Sequence, residues 1–62
     1  MKYSIKELRA RKNLTQEQAA ENMGVSVPTW YRWEKDFGTA TVKQGMEIAE
    51  MFGVKIDDIF YA

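Results

Sequence analysis

The stretch "LTQEQAAENMGVS", residues 14–26, decides how the rest of the chain is read. Thr15 stands three residues before Gln18. Its hydroxyl can accept from an unpaired amide of the first helical turn while the Gln18 side chain reaches back to the Thr15 N–H, so a helix starts at Gln16. It stops after Met23, because Gly24 supplies the left-handed residue that ends a helix. The turn that follows is short, and Ser26 is a candidate cap for a second helix. Pro28 falls in that helix's first turn, where a missing N–H costs nothing. Two short helices, at about 16–23 and 27–35, thus cross at a turn judged too tight for an ordinary Cβ, and Ala20 is small enough to let them approach.

The same punctuation extends outward. Ser4 with Glu7, and Thr41 with Gln44, repeat the hydroxyl-to-Glu/Gln spacing, while Asn13, Gly38 and Gly53 sit where left-handed residues end helices. Further helices are predicted at about 4–12 and 42–52, with a short one near 56–60. No segment alternates with period two over a useful length, so no sheet is expected. Helical spacing directs Ile5, Leu8, Leu14, Ala19, Ala20, Met23, Trp30 and Trp33 inward. From the second half it adds Met46, Ile48, Ala49, Phe52, Val54, Ile56, Ile59 and Phe60. The expectation is all-α: one domain over residues 1–62, a compact bundle of five short helices.

Composition narrows the function. The chain has 62 residues with neither Cys nor His, which removes disulfides, thiolate metal sites and the commonest general base. Asp57 and Asp58 are adjacent and diverge on a helix, so no catalytic carboxylate pair is visible and no enzyme is expected. No apolar run approaches the ~20 residues of a membrane span. Net charge is zero, but residues 1–45 carry eight Lys/Arg against five acids, and residues 46–62 carry Lys55 against four acids. A basic front is joined to an acidic rear.

"LRARKNLTQEQAAENMGVS…RWE" resembles the lambda-repressor/Cro-like (xenobiotic-response-element) helix-turn-helix family, and "IAEMFGVKIDDIF" is similar to that family's fourth and fifth helices. The resemblance runs from about Ile5 to Phe60. It implies that the helix at about 27–35 is a recognition helix lying in the DNA major groove. Trp30 and Trp33 point into the core, whereas Pro28, Tyr31, Arg32 and Lys35 share the outer face. Arg32 suits bidentate bonding to guanine O6 and N7. Val27 and Pro28 match positions that hold base-reading residues in the family and, being apolar, suit at most a thymine methyl. Tyr31 suits a base edge or phosphate, and Thr29 and Lys35 suit phosphate. Gln16 matches the family's phosphate-clamping Gln. Lys43, with the hydroxyls of Thr39 and Thr41 before it, suits phosphates on the other side. Arg9 and Glu34 match a salt-bridged pair of the family, and Arg11 and Lys12 would add long-range attraction. Two features depart from the family: the loop "KDFGTAT", and Gly45 in place of an apolar residue, which leaves room for another backbone or for the bulk of a Trp.

The function so implied is a sequence-specific, double-stranded-DNA-binding transcriptional regulator of phage, prophage or bacterial type. It would be cytoplasmic, in a bacterium or a phage-infected host, with no cofactor, metal, small-molecule ligand or membrane partner. One recognition helix reads one half-site, so a homodimer is expected on half-sites ~34 Å apart. Ile56, Ile59, Phe60 and Tyr61 are its candidate interface, with packing of this tail onto its own core as the alternative. The competing function on the same fold is a protein-interaction module, an antirepressor or adaptor, which Val27, Pro28, Tyr31 and the zero net charge favour.

Overall fold

The computed structural model describes residues 2–59. Four α-helices follow in order: α1 (Ile5–Arg11), α2 (Gln16–Met23), α3 (Val27–Lys35) and α4 (Val42–Phe52), with 3₁₀ turns at Phe37–Thr39 and Ile56–Asp58. Thr15 and Thr41 make the full reciprocal capping arrangement with Gln18 and Gln44. Ser4 accepts from the Glu7 amide, but Glu7 turns its carboxylate to Arg11 instead of closing the box. Gly24 and Gly53 end α2 and α4 at φ +69° and +68°, and Asn13 takes φ +55° after α1. A Cβ built on Gly24 would meet nothing within 4 Å. Its glycine therefore answers the left-handed backbone and not, as the sequence suggested, crowding at the turn.

The core is a single cluster. Ile5 and Leu8 come from α1, Ala19 and Ala20 from α2, Trp30 and Trp33 from α3, Phe37 from the loop, Ile48, Ala49 and Phe52 from α4, and Ile59 from the end. The two indoles meet edge to face with centroids 6.0 Å apart, and Phe52 tilts against Trp30 at 6.4 Å. The two Trp and two Phe rings are the bulkiest apolar groups that so short a chain buries.

Four further sequence expectations need correction. The fifth helix is only the 3₁₀ turn at Ile56–Asp58, which Lys55 leaves without a side-chain cap. Ile59 then runs extended and forms an isolated parallel β-bridge with Tyr3, whose N–H donates to the Asp58 carbonyl at 2.7 Å. Met46 is 57% exposed, because α4 turns Gly45, Ile48, Ala49 and Phe52 inward and leaves Val42 and Met46 outside. Gly38 is not left-handed. Asp36 ends α3 by turning extended, and its carboxylate takes the Gly38 amide. Lastly, what occupies the room at Gly45 is neither backbone nor Trp: a Cβ there would lie 3.3 Å from the Phe37 ring and 3.1 Å from Ile56 Cδ1.

Ile59, named as a dimer-interface candidate, is fully buried in its own domain, and Ile56 is half-buried against the same core. The described part of the tail therefore packs inward. Phe60 and Tyr61 lie outside the described residues.

Candidate nucleic-acid interface

The α2–α3 pair is locked from both ends of its turn. The Gly24 amide caps α2, and the Val25 N–H donates to the Ala20 carbonyl at 3.0 Å. Ala20 is fully buried where the helices cross. Ser26 caps α3 by accepting from the Thr29 amide, and the Ser26 and Thr29 hydroxyls are 2.9 Å apart. Thr29 is thereby tied into the cap, although it remains half-buried at the surface.

Glu34 joins three helices. Its carboxylate accepts from Arg9 Nε at 2.6 Å and Nη2 at 3.5 Å, from Gln16 Nε2 at 3.1 Å, and from the Trp30 indole N–H. Arg9 Nη1 donates in turn to the Leu14 carbonyl at 2.9 Å. The side chains of Glu34 and Arg9 are only 4% and 16% exposed. Desolvation on its own would raise the Glu34 carboxyl. The hydrogen bonds from Arg9, Gln16 and Trp30, with the charge of Arg9, outweigh it and hold the group below its ordinary value of 4.5. Arg9 and Glu34 thus form the pair the sequence suggested. The Gln16 and Trp30 bonds were not foreseen. Trp30 and Glu34 stand four apart on one helix, a spacing that could have signalled theirs.

With Trp30 and Trp33 inside, α3 exposes Val27, Pro28, Tyr31, Arg32 and Lys35. Lys35 Nζ lies over the Tyr31 ring, 4.9 Å from its centroid. Arg11 is held by Glu7 at 3.3 Å and stacks on Tyr3, and Arg9 is held by Glu34. Among the described residues Arg32 is the arginine whose side chain has no hydrogen bond, ion pair or ring contact, so its guanidinium donors are unspent.

The remaining phosphate candidates differ in how far they are committed. The Gln16 side chain already donates to Glu34, which fixes its position on α2. The Thr39 hydroxyl donates to the Asp36 carbonyl at 2.8 Å, and the Thr41 hydroxyl accepts the Gln44 amide at 3.1 Å as the α4 cap. Lys43 is exposed and has no partner among the described residues. No group of three or more His, Cys, Asp or Glu among the described residues is placed to hold a metal. No helix there is long and apolar enough to cross a membrane.

The helix-turn-helix family pattern matches residues 5–59. An uncharacterised HTH-type transcriptional regulator of Methanocaldococcus jannaschii is 47% identical over 60 residues, which cover 97% of this chain and 91% of that protein. Another, from Archaeoglobus fulgidus, is 42% identical over 97% of this chain and 84% of its own length. The HTH-type transcriptional activator BcrR of Enterococcus faecalis is 38% identical over 89% of this chain, a match that takes in 27% of BcrR. No solved structure gives a significant match. The match spans all four helices and the crossing pair at Gly24, and the chain therefore belongs to the lambda-repressor/Cro-like helix-turn-helix family of DNA-binding transcriptional regulators.

Proposed function

We propose that the chain is a sequence-specific regulator that lays α3 in the major groove of duplex DNA. The observation that carries this is the division of α3: Trp30 and Trp33 are buried at 0% and 2% exposure, while Arg32 stands outside with no partner. The Trp-anchored helix presents the Arg32 guanidinium with its donors free, which bidentate reading of a guanine requires. Arg32 takes O6 and N7 of one guanine. Gln16, oriented by Glu34, and Lys43 bind phosphates and set the register, with Thr29, Lys35 and Thr41 as further backbone contacts, while the one O–H of Thr39 is already given to the Asp36 carbonyl. Two copies on half-sites ~34 Å apart complete the operator.

Apolar Val27 and the exposed Val42 and Met46 favour a second reading, a protein-interaction module on the same fold. An amide-resolved NMR titration with mixed-sequence duplex at low and then higher salt separates the two. Salt-sensitive shifts at Gln16, Thr29, Arg32, Lys35 and Lys43 support DNA binding. An absence of shifts, or shifts at Val42 and Met46 alone, would send the search to protein partners.

A further inference from the structure

The outer face of α3 is chemically divided. Val27 (37% exposed) and Tyr31 (48% exposed) stand one turn apart, and Pro28 lies between them and Arg32. Residues near the N-terminus of a recognition helix are those that meet base edges. At this end, neither Val27 nor Pro28 has a side-chain donor or acceptor. The neighbouring hydroxyls of Ser26 and Thr29 are bound to each other and to the helix cap. Hydrogen-bond readout is therefore closed to the Val27 and Pro28 side chains, and the one O–H that the Ser26–Thr29 pair keeps free is left for a phosphate. In the major groove the one remaining mark that tells base pairs apart is the 5-methyl group of a pyrimidine.

Resting on the DNA-binding reading above, we infer that Val27 and Tyr31 form a methyl-reading surface. It takes the 5-methyl of thymine or of 5-methylcytosine beside the guanine held by Arg32. Lys35 over one face of the Tyr31 ring restrains that ring and leaves its other face for the methyl. Side chains at i and i+4 are about 5–6 Å apart, close to two base-pair steps of about 3.4 Å. The methyl-bearing pyrimidines and the guanine therefore lie within about three consecutive base pairs.

The test uses the full 62-residue chain and duplexes selected by it from a random library. Each thymine of the selected half-site is replaced in turn by deoxyuridine, which removes only the methyl, and each cytosine by 5-methylcytosine. The expected result is an affinity loss of about fourfold at one or two deoxyuridine positions, the worth of one buried methyl. A comparable gain on methylating a cytosine would instead assign 5-methylcytosine as the natural mark. In Val27→Ala, whose site is exposed, the melting temperature should hold while the deoxyuridine effect at one position disappears, a coupling that general weakening of binding cannot mimic. Selection of a defined sequence whose affinity is indifferent to every methyl added or removed would overturn the inference and leave DNA binding standing. Failure to select any sequence would overturn both.

Discussion

Replacing Arg9 by Met tests the electrostatic joint between α1, α2 and α3. The Met keeps most of the apolar stem of Arg9 but removes two of the four N–H bonds that reach Glu34, together with the bond to the Leu14 carbonyl. Glu34 is left 4% exposed with its charge, supported by neutral donors from Gln16 and Trp30 alone. Breaking a buried pair from one side costs about 3–5 kcal/mol, and the two surviving donors place this case near 3. A chain of 62 residues has a total stability of roughly 3–9 kcal/mol. The substitution therefore removes a third of that stability or more. Urea unfolding at neutral pH, followed by the fluorescence of the buried tryptophans, should show a midpoint lowered by roughly 2–3 M. The double variant Arg9→Met with Glu34→Gln should recover much of the loss, since no charge is then buried and the amide oxygen still accepts from Trp30 and Gln16. A loss below about 1 kcal/mol for Arg9→Met would refute the reasoning, because the joint would then be worth no more than an exposed pair such as Glu7 with Arg11.

The same carboxylate sets an acid limit. Its folded value lies below 4.5, so its contribution is complete above pH 4.5 and is lost as pH falls below that through the folded value. Glu34→Gln should flatten the stability curve in that window, as read by thermal melts between pH 5 and 2. Gly45→Ala gains about 1 kcal/mol of helix propensity, but its Cβ meets the Phe37 ring, which is itself buried. Overpacking of about 1–3 kcal/mol should win, and a raised melting temperature would show that Phe37 and Ile56 can yield. Arg32→Ala should leave the melting temperature unchanged and lower preference for the selected operator by about 1–3 kcal/mol, in competition against scrambled duplex. Lys43→Ala should instead weaken all sequences alike and reduce the salt slope by about 1.

Three of the four helices were legible to the residue, because serine and threonine caps and, for α2 and α4, left-handed glycines are local devices that need no tertiary partner. The errors arose where tertiary contact decides. Phe37 follows the end of α3 in a loop with no periodicity, yet it is buried because Gly45 opens a slot for its ring. Met46 looked like core because α4 carries two apolar phases, and the absent side chain at Gly45 hides which of them faces inward. Ile59 is held by pairing with Tyr3, at the far end of the chain, a contact that no local pattern announces. At the interface, exposure of Val27, Tyr31 and Arg32 followed from helical phase once Trp30 and Trp33 were placed inside. The bond from Gln16 to Glu34 did not, since it needs the crossing of α2 with α3.

The Tyr3–Ile59 bridge has a mechanical consequence. Because the two short segments run parallel, tension applied between the ends of the chain pulls them along each other in opposite directions, in shear. The first element to bear load is the Tyr3 N–H bond to Asp58, followed by Ile59 as it is drawn from the core. The helices that carry the crossing pair, α2 and α3, lie inside that clasp and feel no force until it opens. Tension between the two ends is thus carried first by the clasp, up to its strength, and reaches α3 only once the clasp has opened.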